Sequence, residues 1–221
     1  MKSQSDKHPG WALPTVMAVL ALCALSALSL TRGLWLHASV MRSDGDEWRA
    51  RAAAEALLKD AEQDLLASTG STPKDNRHTT PSPDASSTTP FISHRLEGLA
   101  LLRKTLPSGA CWQGICAPSA LDSASAAQWL QRINSAAHYG QFTTPGTIWD
   151  KRVNPILSDR GVYWLETFAN ADTTQNAVLW RITALAQATP SSTPVVLQAW
   201  WQANLNSTMG GRWLSWHEVL P

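Results

Sequence analysis

From Trp11 to Thr31 the chain runs for 21 residues without a charge. As a helix this stretch spans about 30 Å, the thickness of a bilayer core. The pattern then changes. Residues 47–66 are rich in Ala, Leu, Glu, Lys and Arg, all good helix formers. Trp48, Ala52, Leu57 (or Ala56) and Leu65 or Leu66 give a loose apolar stripe, and Arg51–Glu55 and Glu55–Lys59 stand at i,i+4 spacing. Joined to the apolar run, this segment predicts one helix of about 50 residues, on the order of 80 Å. Asp44-Gly45-Asp46 is its weak point, where a kink or local melting is expected.

Periodicity disappears over residues 68–90, where 15 of 23 residues are Ser, Thr or Pro. Such a segment buries too little apolar surface to offset chain ordering, and it reads as a linker. Residues 91–106 are apolar enough to pack but leave helix and strand both open. Asp122 or Ser123 can cap a helix running to about Ala137, which would bury Ala126, Trp129, Leu130 and Ile133 and end at Gly140. Beyond it, 161–168, 177–188 and 194–201 alternate in the manner of strands, with polar turns between them. Residues 212–220 form a fourth strand entered through Gly210-Gly211. Short connections favour an antiparallel meander with a helix over one face, so the fold class is α+β.

Charge and cysteines narrow the picture. The net charge of +1 gives no electrostatic reason to expect contact with nucleic acid. Lys2 and Lys7 precede the apolar run against a single acid, Asp6, so the short N-terminus is expected to stay cytoplasmic while the rest is translocated. Cys111 and Cys116 are then free to oxidise, and the four residues between them allow a small disulfide-closed turn of about 2 kcal/mol. A signal peptide cut near Ala27-Leu28-Ser29 and a plain bitopic anchor are two readings of the N-terminus.

A third reading rests on the junction. A short charged leader ends in Gly10, an aromatic residue follows, and the apolar run begins at once. This resembles the class III signal of type IV prepilins, cut after the glycine and then N-methylated, here at Trp11. Further along stand Met41-Arg42 and Ala53-Ala54-Glu55-Ala56-Leu57-Leu58. Later come Cys111-Trp-Gln-Gly-Ile-Cys116, Tyr139-Gly140-Gln141, Tyr163-Trp164-Leu165-Glu166, Arg181-Ile182-Thr183-Ala184 and Val195-Val196-Leu197-Gln198. In that order they resemble type IV pilus assembly proteins of the PilX kind.

The resemblance implies a leader (1–10), a long N-terminal helix (11–67, transmembrane over about 11–31), the linker (68–90) and a globular pilin domain (91–221). Its sheet would have about four antiparallel strands with a small extra helix. It implies an inner-membrane protein with one pass and a periplasmic domain, transferred to a pilus fibre on assembly. Partners would be other minor pilins, the major pilin, a tip adhesin and the prepilin peptidase. A pseudopilin of type II secretion is the neighbouring alternative. A bitopic protein with a periplasmic binding domain is the alternative from another class. Most pilins carry a Glu at the fifth mature position; here that position is Thr15, which offers a hydrogen bond but no charge. Two readings of Thr15 compete. The favoured one is a place at the fibre tip, where no earlier amine awaits a partner; the other is a paralogue that has drifted and assembles poorly or not at all.

Catalytic chemistry finds no foothold. The six His make no metal-binding spacing, and no nucleophile elbow or phosphate loop occurs. Neither an enzyme, a metal nor a cofactor is expected. His217 and Glu218, as neighbours on a strand, point to opposite faces. So do Trp200 and Trp201, which makes one of that pair a candidate for contact with a partner subunit.

Overall fold

A computed structural model describes residues 12–67, 90–117, 130, 132–143, 156–157, 160–169, 178–203 and 210–219. The chain divides into two compact units, Met1–Gly45 and Asp46–Pro221. Helix α1 is the 56-residue segment Ala12–Ala67. Pro14 sits in its first turn, where the missing N–H has no helical acceptor to lose. Contrary to the expected melting, helical structure continues through Asp44-Gly45-Asp46. A glycine costs a helix only about 1 kcal/mol, less than breaking and renucleating the helix around it would. Asp46 also pairs with Arg49 at 3.8 Å.

In the first unit, the side chains from Leu13 to Asp44 are exposed. The hydroxyls of Ser26, Ser29, Thr31 and Ser39 donate to carbonyls three or four residues back, at 2.8–3.0 Å. Polar groups on this apolar helix thus find partners within it, as an apolar surrounding demands. Among the described residues α1 is the one helix long and apolar enough to cross a membrane.

In the second unit, α1 buries Ala50, Ala53, Ala54, Ala56, Leu57, Leu58, Ala61 and Leu65. Of the expected stripe, Ala56, Leu57 and Leu65 are buried and Ala52 is half-buried, but Trp48 is 71% exposed. The true face also contains Asp60 and Asp64, buried acids that a count of apolar positions passes over. Helix α2 (Leu96–Thr105) settles the segment left open by pattern. It turns Leu99 and Leu102 inward and places Glu97 in its first turn and Arg103 and Lys104 in its last, matching the helix dipole.

Among the described residues the sheet has seven strands, where about four were expected. The four expected ones are the long members, each of nine residues: β4 (Gly161–Ala169), β5 (Val178–Ala186), β6 (Val195–Ala203) and β7 (Gly211–Val219). They form an antiparallel meander. Two-residue strands β1 (Cys111–Trp112), β2 (Ile115–Cys116) and β3 (Ala137–His138) add to the β4 side. Strands this short carry no period of their own, so pattern cannot find them. β2 runs parallel to β4, which makes the sheet mixed.

The helix expected up to Ala137 is also corrected at its end. Leu130 is exposed, Ile133–Ser135 is a 3-10 turn, and Ala137 belongs to β3. Capture of Ala137 by pairing with Tyr163 outweighs the helical preference of the preceding residues. Asp122, Ser123, Ala126 and Trp129 lie outside the described residues, as do 68–89 of the linker.

The inner face of the sheet, toward α1, carries Tyr163, Leu165, Trp180, Ile182, Leu197 and Trp201. The outer face has a smaller cluster with Val162, Trp164, Leu185 and Val196. Gly211 has a defined role at the start of β7, since a Cβ there would overlap the Trp201 indole. Gly211→Ala is expected to push that ring out of place and cost about 1–3 kcal/mol. Urea unfolding of the full chain in detergent measures it, and an unchanged midpoint would show that the ring has room to move.

Candidate functional site

The last turns of α1 are fastened to the sheet and its loops by hydrogen bonds. Asp60 accepts from the Gly140 backbone N–H at 2.8 Å and from the Thr143 hydroxyl. Tyr163 on β4 donates its hydroxyl proton to Asp64 at 2.8 Å. Glu62 accepts from Trp201 Nε1 at 3.1 Å. The Trp180 indole, which can only donate, reaches His94 Nδ1 at 3.1 Å. His94 Nε2 therefore carries the proton that it donates to the Leu65 carbonyl, at 2.9 Å. The His94 carbonyl in turn accepts from the Val178 N–H at 3.1 Å. One buried imidazole thus ties the end of α1 to β5.

The expected site residues fall in separate places. Gly10 and Trp11 lie outside the described residues. Thr15 is exposed in the first turns of α1. Cys111 and Cys116 form a disulfide across the β1–β2 hairpin. Its two-residue turn holds Gln113 and Gly114 at φ of 45° and 83°, as a type I′ turn requires. A Cβ on Gly114 would approach the Ala137 Cβ to 2.6 Å, so only glycine lets β3 come this near.

Trp200 and Trp201 point to opposite faces. Trp201 is fully buried under α1. Trp200 lies on the outer face, half-buried, with its ring 5.1 Å from that of Phe168. The Arg181 guanidinium sits 4.9 Å from the Phe168 ring and 5.8 Å from the Trp200 ring. Arg181 Nε also donates to Glu166 at 2.8 Å, and both residues are buried. The Glu166↔Arg181↔Trp200↔Ser215 register sets this row across four strands. No motif announces it; the only sign in the sequence is a Glu and an Arg in otherwise apolar strands. His217 and Glu218 do take opposite faces: Glu218 pairs with Arg51 of α1 at 3.2 Å, and His217 stands opposite Gln198.

Strand β7 differs from its neighbours. Residues 212–217 are exposed, including Trp213, Leu214 and Trp216 at 37, 45 and 54%. Among the described residues no strand pairs with its outer edge. No cluster of three or more His, Cys, Asp or Glu that could hold a metal occurs among them either.

Compared with known protein families, characterised proteins and solved structures, the chain shows no significant match.

The two adjacent tryptophans give a direct test. Trp201→Ala should cost about 3–5 kcal/mol, because it opens a buried cavity and removes the Glu62 donor. Trp200→Ala should cost about 1–2 kcal/mol, the scale of ring and guanidinium contacts at a half-exposed site. Equal losses in denaturant unfolding would sink this division.

Proposed function

We propose that the chain is a PilX-like type IV minor pilin that contributes to the start of pilus assembly, at the fibre tip. The observation that carries this reading is the double use of α1. Its first part exposes apolar side chains and satisfies its own hydroxyls, while its last part is a packed element of the α+β unit. A membrane anchor needs only the first property. A subunit that leaves the bilayer to pack its helix among other helices needs a helix that is also built into its globular part. The Cys111–Cys116 hairpin and the β4, β5 and β6 segments supply four of the five domain motifs behind the resemblance.

On this reading Gly10 is the cleavage position and Trp11 the N-methylated residue of the mature chain. Thr15 stands where a charged partner for a preceding subunit's amine is usual, and a tip subunit has no such amine to neutralise. The domain lies in the periplasm before assembly, where the disulfide is stable.

N-terminal mass spectrometry of the protein from its native cells tests the reading. The expected chain begins at N-methyl-Trp11, and cleavage stops when Gly10 is replaced by a bulky residue. A chain that keeps residues 1–10 intact, with its amine unmethylated, would overturn the pilin reading in favour of a plain anchor.

A further inference from the structure

Residues 90–94 lead into α2 and bury Phe91, Ile92 and His94. What fixes this segment against both α1 and β5 is one ionisable ring. His94 Nδ1 accepts the Trp180 indole proton at 3.1 Å, and Nε2 donates to the Leu65 carbonyl at 2.9 Å. Only a neutral imidazole satisfies both bonds, since a protonated ring has two donors and no acceptor. The indole cannot reverse its role. It is also confined: the Trp180 ring meets the imidazole edge-on at 6.0 Å, and the Trp201 ring stands 5.7 Å from it.

We propose that His94 is a pH-sensitive clasp, which opens the junction of residues 90–94, the end of α1 and β5 on mild acidification and leaves the rest of the sheet folded. The step is the uptake of one proton from solvent at Nδ1. The indole N–H···N bond breaks, and the Leu65 bond loses the ring position that Trp180 fixed. The junction lies within the second unit, so the proposal does not rest on the pilus reading.

Among the described residues, α1 brings two acids toward this end of the core. Glu62 is bonded to Trp201 and Asp64 to Tyr163. Arg95 and Glu97, beside His94 in the chain, are exposed. β5 and β6 meet the ring with the two indoles, while Arg181 lies on the outer face with Glu166. Glu62 and the last carbonyls of α1 favour a positive ring. The Leu65 bond, however, is already made in the neutral state and gains only in strength. Against that gain stand the loss of the Trp180 bond, a donor left facing a donor, and a charge placed on a buried ring. An opened imidazole titrates at about pH 6.5 and charges freely below it, whereas the closed one keeps its lone pair for Trp180. The open form therefore gains on the closed form as pH falls, and the clasp is fully held above about pH 7.

The test is NMR of the full chain in detergent, labelled with ¹⁵N-tryptophan and ¹⁵N-histidine. Deuterium exchange of the Trp180 indole N–H, taken relative to the denatured chain at each pH, reads the opening. From pH 7.5 to pH 5 its protection should fall by about tenfold to thirtyfold, the ratio for an imidazole that charges only when open. In up to about 1 M urea this exchange should stay flat, as local openings do, while that of the buried Trp164 indole rises with whole-domain unfolding. His94→Gln keeps one acceptor and one donor without a titrating ring, and should reduce the pH effect to about threefold or less. Should that variant not fold, the wild-type ring decides: Nδ1 should be unprotonated at pH 7.5 and gain its proton over the pH range in which Trp180 loses protection. Protection that is constant or rises on acidification, a urea dependence equal to that of Trp164, an unchanged profile in folded His94→Gln, or a protonated Nδ1 at pH 7.5 would each overturn the proposal. The N-terminus of the mature chain has no bearing on these outcomes, so this proposal and the pilus reading fail separately.

Discussion

The face of α1 between Ala50 and Leu65 presses into the sheet mostly through alanines, and alanine sets how near the helix can come. A close approach brings short polar side chains within reach of the strands. Asp60 and Asp64 exploit it, accepting hydrogen bonds from the Gly140 N–H and the Tyr163 hydroxyl. The two effects are coupled. With larger residues at 53, 54 or 61 the helix would stand off, and the Tyr163 hydroxyl would lose its acceptor in a dry interface. Leaving such a group unsatisfied costs about 1–3 kcal/mol, so the alanines hold the polar ties as well as the apolar contact.

The sheet behind this interface is covered unequally. On the outer face, apolar residues at one end (Val162, Leu185, Val196) give way to the buried Glu166–Arg181 pair near the other. Such a pair contributes little net stability, but losing either member costs about 3–5 kcal/mol because the survivor is left charged and dry. Its value lies in register. A slip of β4 against β5 by one residue would put the Glu166 carboxylate and the Arg181 guanidinium on opposite faces. Phe168 and Trp200 hold the guanidinium from the side, which makes the pair hard to satisfy in any other alignment.

The four long strands, the helical character of 12–67 and the opposite orientation of Trp200 and Trp201 were legible in the sequence, because each rests on a period that persists over many residues. What was missed has no period. Strands β1 to β3 are two residues each and owe their form to β4 and to a glycine turn. The buried face of α1 includes Asp60 and Asp64, which a stripe of apolar positions does not contain, because donors from distant parts of the chain bind them. His94 gave no signal for the same reason. Its partners are Leu65 and Trp180, 29 and 86 residues away. The exposure of β7 was invisible too, since its alternation resembles that of a buried strand until the bulge opposite Trp200 and Trp201 changes its phase.

The tryptophans show how a partner for the indole N–H separates structure from surface. A buried Trp carries a donor that must be answered, so a Trp destined for the core needs an acceptor from another element. Trp180 has His94 and Trp201 has Glu62. Both acceptors lie at or near the end of α1, so the fastening of the helix and the burial of the two largest side chains of β5 and β6 are one event. Trp213 and Trp216 follow the same strand chemistry without that answer from α1, whose flank at this point supplies Arg51, a donor, already engaged with Glu218. A donor cannot satisfy an indole. Among the described residues, the indoles of Trp213 and Trp216 stay exposed where those of Trp180 and Trp201 are buried and answered.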